Sequence, residues 1–123
     1  IEKFNKKRNQ IASIYNSELS KINHKIHTPY IPKGYTHSYQ MYTITVSKKI
    51  RNKLLNYLKT HNIEASAHFD PPLHSQKYLK KYNKMNLPIT NKLSKEIITL
   101  PIFPDMTKKE VFYVIKILKK FFR

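Results

Sequence analysis

The chain has no cysteine, no tryptophan, a single glycine and only seven acidic residues against 24 Lys and Arg. Each shortage removes a class of function. Without cysteine there is no disulfide framework, no thiol nucleophile and no thiolate-bound zinc, which suits a reducing compartment and makes the cytoplasm the default expectation. With Gly34 as the sole glycine there is neither a glycine-rich phosphate loop nor a Gly-x-Ser-x-Gly nucleophile elbow. Ser66, Ser75, His68, His74 and Asp70 therefore form only a nominal Ser/His/Asp set. The pairs His24 with His27 and His68 with His74 invite a metal, but zinc needs three or four converging ligands and acids are scarce, so no metal site is expected. Long apolar runs are absent too. Val111 to Ile115 is too short to cross a bilayer, and Ile1 to Arg8 is too charged for a secretory signal, so no membrane association is expected.

What is present suits one small globular domain. A chain of 123 residues has room for one modest core, and 40% hydrophobic content with nine tyrosines can fill it. The first residue is Ile1, which hints at a chain processed from, or part of, something longer. A net charge of +17 would draw nucleic acid, an anionic membrane or a phosphorylated substrate. The lysines are spread along the chain among many Asn, Ile and Tyr, a mixture that AT-rich codon usage also produces, and most are expected on solvated faces.

Hydrophobic spacing then lays out the elements. Phe4, Ile11, Ile14, Tyr15, Leu19 and Ile22 recur at helical intervals and predict an amphipathic helix over 1–22. Asn23 to Thr36, with Pro29, Pro32 and Gly34, reads as an irregular connection. His37 to Val46 reads as a strand with Tyr42, Ile44 and Val46 on one face. Ser47 stands where an N-cap belongs, and Ile50, Leu54, Leu55 and Leu58 form the stripe of a second helix ending near Asn62. Ile63 to Phe69 alternates as a short strand would until Pro71 and Pro72 stop it. Ser75 to Tyr82 predicts a short helix broken at Leu87-Pro88, and Asn91 to Glu96 another. Ile97 to Leu100 reads as a third strand closed by Pro101 and Pro104. Thr107 and Glu110 have capping-box spacing ahead of a helix carrying Val111, Val114, Ile115, Leu118 and Phe122. The expected fold class is α+β, with a small, mostly antiparallel sheet and helices packed on one side.

One cluster stands apart chemically. His68, Phe69, Asp70, His74, Gln76 and Tyr78 surround two prolines at the end of an expected strand. A stiff loop there can present imidazole, amide and phenol groups while an aromatic ring stacks on a base or sugar. The alternative is that Phe69 and Tyr78 are core contacts and both histidines are simply exposed.

At these residues the chain resembles the DegT-type aminotransferases, pyridoxal-phosphate enzymes that aminate keto groups on nucleotide-linked sugars. Lys7-Arg8-Asn9-Gln10-Ile11-Ala12, with Tyr15 and Leu19, is similar to the Arg-Arg-x-x-Ile-Ala-x-x-Tyr-x-x-x-Leu helix that leaves the family's large domain. His37 to Tyr42 resembles the following strand, and Leu54 to Ile63 the Leu-x-x-x-Leu-x-x-x-x-Ile helix. His68-Phe69 with Pro72, His74 and Tyr78 fits the His-aromatic-x-x-Pro-x-His stretch. Leu87-Pro88, Leu100-Pro101 and Pro104 to Thr107 complete the order, while Asp70-Pro71 stands where members vary.

The resemblance implies that residues 1–123 are the C-terminal domain of a fold-type I sugar aminotransferase, with 1–22 as the helix leading from a missing large domain. That domain would carry the Schiff-base lysine and most contacts to pyridoxal phosphate, so no catalytic or cofactor-binding residue is assigned here and the chain alone is expected to be inactive. His37, His68, Phe69, His74 and Tyr78 are the implied substrate-lining residues. A nucleotide-linked keto sugar, an amino donor and a second subunit are the implied partners, in polysaccharide biosynthesis. Two rivals remain at this stage: a small basic nucleic-acid-binding domain using lysines on phosphates and tyrosines for stacking, and a degenerate or truncated remnant.

Overall fold

The computed structural model describes residues 1–22 and 24–123. Asn23, the first residue of the expected connection, lies outside them. The elements run α1 (Glu2–Leu19), β1 (Ile26–His27), β2 (Tyr42–Val46), α2 (Lys48–Thr60), two 3₁₀ turns (Leu73–Ser75 and Lys77–Tyr82), α3 (Pro88–Leu93), β3 (Ile97–Leu100) and α4 (Lys108–Phe121).

Strand register decides which side chains form the core. β2 is central, antiparallel to β1 on one side and to β3 on the other. Its pairs Ile26 with Val46, Ile44 with Ile98 and Tyr42 with Leu100 bring buried residues opposite one another. The alternate positions pair His27 with Thr45, Thr45 with Ile97, and Thr43 with Thr99. Successive side chains of a strand point to opposite faces, so one face is wholly apolar and the other largely threonine. The expected α+β class, with a small antiparallel sheet, is what the chain forms.

The helices are set by caps as well as stripes. Ile11, Ala12, Tyr15 and Leu19 of α1 are buried, whereas Phe4, on the same expected stripe, is half exposed. Ser47 caps α2, its Oγ accepting from Lys49 N. At the other end of α2, Asn62 adopts φ 55°, with Asn62 N donating to Lys59 O and Ile63 N to Leu58 O. That pair of bonds is a Schellman turn, and asparagine tolerates its left-handed position better than most residues with a β-carbon. Thr107 and Glu110 form the expected capping box, with Thr107 N donating to Glu110 Oε2 at 2.7 Å and Glu110 N to Thr107 Oγ1 at 3.2 Å. The Thr107 hydroxyl, donating to Glu110 Oε2 at 2.7 Å, and after it the Thr107 N–H hold the Glu110 carboxyl below its ordinary pKa.

β1, the start of β2 and the start of α3 depart from the sequence expectations. β1 is a two-residue strand inside the segment read as a connection, too short to leave a periodic trace. The strand expected from His37 starts only at Tyr42, because α1 takes the preceding backbone: Asn9 Nδ2 donates to His37 O and Arg8 Nε to Ser38 O. Pro88 opens α3 instead of breaking a helix, as its missing N–H costs nothing in the first turn.

Core aromatic groups join sheet to helix. The rings of Tyr15 and Tyr42 lie 4.8 Å apart; Tyr15 Oη donates to Pro101 O and Tyr42 Oη to Asn16 Oδ1. Burial raises the pKa of both phenols. α4 packs against α1 and α2. At the first of these joints Glu18 accepts from Lys119 and from Lys21. Those hydrogen bonds, Lys119 first, pull its carboxyl from 4.5 down to about 2.

Two outcomes follow. Asn62→Gly should leave the urea midpoint unchanged or slightly raised, whereas Asn62→Val should lower stability by about 1–2 kcal/mol, since a β-branched residue resists the left-handed region. For Glu18 the folded pKa lies below the unfolded one, so its contribution is complete above about pH 4.5 and is lost as pH falls towards 2. Glu18→Gln should therefore unfold more easily than the parent near neutral pH, with the gap closing through that window in urea titrations.

Candidate functional site

After the Schellman turn the chain reaches the free edge of β3. Ser66 N donates to Thr99 O at 3.1 Å and Thr99 N to Ser66 O at 2.8 Å, a single antiparallel bridge in place of the strand expected over 63–69. A tight turn, in which Ala65 N donates to Ile63 O, precedes the bridge, and Phe69 at φ 60° follows it, so the extended conformation lasts no longer. A left-handed phenylalanine costs about 1–3 kcal/mol and persists only where its surroundings hold it. Pro71 and Pro72 then offer no backbone donors, and the chain coils through the two 3₁₀ turns. Leu79, at φ −111° and ψ 32°, kinks the second turn, which replaces the expected helix over 75–82.

Two buried polar groups hold this loop. Arg51, 7% exposed, donates through Nη2 to Asp70 Oδ2 at 2.5 Å and to Ser94 O at 3.3 Å, and through Nε to Lys95 O at 3.2 Å. His74, 8% exposed, donates from Nε2 to Asn91 Oδ1 at 2.9 Å. Gln76 Nε2 reaches back to Pro71 O at 2.8 Å. Arg51 and Asn91 escaped the sequence reading. The signal for Arg51 was available: it stands three and seven residues before Leu54 and Leu58, on the stripe that α2 buries.

The five implied substrate-lining residues do not all share one place. His68 and Phe69 are exposed neighbours with ring centroids 6.2 Å apart, and His68 Nδ1 shares a hydrogen bond of 3.0 Å with Ser66 Oγ. Phe69 is 72% exposed and Tyr78 98%, so neither is a core contact. His74 is turned inward on Asn91. His37 is exposed but anchored on α1 and Tyr39: its Nδ1 accepts from Tyr39 N at 2.9 Å, and its ring lies 4.5 Å from that of Tyr39. The loop thus brings His68, Phe69 and His74 into one hydrogen-bonded segment, with His37 held by other elements.

Among the described residues no group of three or more His, Asp or Glu is placed to hold a metal ion, and no helix is long and apolar enough to cross a membrane. A lysine that forms a Schiff base must be buried beside its cofactor. Every lysine here is exposed or only partly buried, and the two partly buried ones are engaged, Lys7 with Asp105 and Lys119 with Glu18. These residues do not fit the pyridoxal group. A groove of about 810 Å³ runs beside α4, lined by Ile63, Phe103, Phe112 and Tyr113 and by no residue of 66–82.

Residues 1–119 match the DegT/DnrJ/EryC1/StrS aminotransferase family. The chain belongs to that family. An uncharacterized protein of Methanocaldococcus jannaschii is 35% identical over 122 residues, which cover 94% of this chain. A dTDP-3-amino-3,6-dideoxy-alpha-D-galactopyranose transaminase of Aneurinibacillus thermoaerophilus is 28% identical over 117 residues, 95% of this chain. The chain spans 31% of the length of each of these curated relatives. A DegT DnrJ EryC1 StrS aminotransferase from Brucella abortus superposes with a TM-score of 0.85 at 25% identity, covering 97% of this chain and 31% of that one. The family match spans all of the segments, from Lys7-Arg8 to Pro104, on which the resemblance was drawn.

Within this DegT-family domain the His74–Asn91 bond is testable. Asn91→Leu leaves the buried His74 N–H without an acceptor and should cost about 1–3 kcal/mol, whereas Asn91→Asp keeps an oxygen and should cost less. Urea midpoints of the two variants check the difference.

Proposed function

We propose that the chain is the C-terminal small domain of a pyridoxal-phosphate-dependent transaminase acting on keto sugars linked to nucleotides. The observation that carries this reading is the family match over residues 1–119, joined to a lysine set that does not fit the cofactor. The lysine donor and the cofactor then belong to a preceding large domain, and residues 1–22 lead from it. When bound, pyridoxal phosphate supplies the electron sink for exchange of an amino group between donor and keto sugar.

The chain's own residues bind and orient in this reading. His68 and Phe69 present an imidazole and an apolar ring on a clasped loop at the edge of β3, and Tyr78 presents a phenol on the 3₁₀ turn that follows, groups that can face a sugar and stack on a base. His37 stands in the segment before β2, held by Tyr39 and α1, and His74 backs the loop through Asn91. Large hydrophobic side chains are exposed at Tyr30, Tyr35, Phe112 and Ile89. They suit contact with the large domain and with a second subunit of a cytoplasmic homodimer serving polysaccharide biosynthesis. The chain by itself is then inactive.

Titrating the chain with pyridoxal phosphate and recording the absorbance of an internal Schiff base tests the assignment. The expected result is no stoichiometric band. A stoichiometric band abolished by replacing one lysine would place the catalytic lysine in this chain and sink the reading.

A further inference from the structure

We propose that Arg51 and Asp70 are positioning residues: their ion pair sets the place of the His68–Phe69 segment at the edge of β3. This inference rests on the loop's role as a substrate wall.

The geometry makes Arg51 a hub between three elements. It rises from the first turn of α2, reaches Asp70 in the loop, and reaches the carbonyls of Ser94 and Lys95 where α3 ends and β3 is about to begin. Carbonyls at a helix end have no partner within the helix, and a guanidinium fork can serve two of them while still pairing with a carboxylate. The second clasp lands on the same turn: His74 holds Asn91, and Ser94 Oγ donates to Asn91 O at 3.1 Å. Loop residues on both sides of Pro71-Pro72 are thus tied to one short stretch, 91–95.

Between the Ser66–Thr99 bridge and Asp70 only three residues intervene, Ala67, His68 and Phe69. With both ends fixed, the intervening backbone keeps Phe69 left-handed and leaves its side chain largely in solvent, beside the His68 ring. A buried arginine facing a carboxylate is a specific device, because loss of either partner leaves a charge or donors uncompensated.

Asp70→Asn removes the charge at a side chain that is 35% exposed, so the fold should survive it. Asp70→Glu returns a carboxylate. Amide hydrogen exchange on the chain should show protection over 66–76 falling about tenfold in Asp70→Asn, with α1, β2 and α4 unchanged and Asp70→Glu recovering most of the loss. In the transaminase carrying this domain, Asp70→Asn should raise KM for the nucleotide-linked sugar about tenfold while kcat changes much less. Unchanged protection over 66–76 in Asp70→Asn overturns the positioning role. Lost protection with an unchanged KM leaves the clasp standing and removes the substrate wall instead.

Discussion

Everything in this domain hangs on the register between β2 and β3. Pairing Tyr42 with Leu100 and Ile44 with Ile98 turns four apolar side chains to the helices, and a shift of one residue would present threonines to them instead. The same register fixes Thr99 at the outer edge of the sheet, where it receives Ser66 and starts the loop. Packing and candidate site therefore share one cause. The Tyr15 and Tyr42 rings close the core from the α1 side, and each phenol reaches a specific acceptor, so the helix cannot slide along the sheet without stranding a polar group.

A chain with 24 cations and seven acids cannot neutralise its surface by pairing. Four of its seven acids are placed at joints instead: Glu18 between α1 and α4, Asp105 against Lys7 of α1, Glu110 at the cap of α4 and Asp70 on Arg51. Asp105 and Glu110 are exposed, where an ion pair or cap contributes modestly, and Glu18 is partly buried. Asp70 differs because its partner is buried, which gives the pair a structural consequence beyond its Coulomb attraction. Most of the remaining positive charge lies on exposed lysines, as their scattered spacing implied.

The loop joins local strain to tertiary restraint. Phe69 takes a backbone conformation that a free peptide would avoid, between a sheet bridge on one side and a buried ion pair on the other. A loop held in this way can offer exposed aromatic and imidazole groups without paying much ordering entropy on binding. Its exposed rings are the part of the domain least explained by packing.

The sequence by itself determined the elements whose signals are local. Ser47, Thr107 and Glu110 act on their own helix termini, Ile97 to Leu100 form a strand with the expected bounds, and the alternation in Tyr42 to Val46 selects the buried face. The ordered motifs from Lys7-Arg8 to Pro104 also carried the family assignment. Tertiary structure decided what depends on partners far along the chain. β1 exists because two residues find β2, His37 and Ser38 leave the sheet because Asn9 and Arg8 claim their carbonyls, and 63–69 keeps one bridge because turns flank it. At the site, His68 and Phe69 were legible as chemical types, but the inward turn of His74 and the separate anchoring of His37 were not. Arg51 shows why: an arginine on an apolar stripe signals a buried charge, yet only the folded chain could bring Asp70, 19 positions away, to meet it.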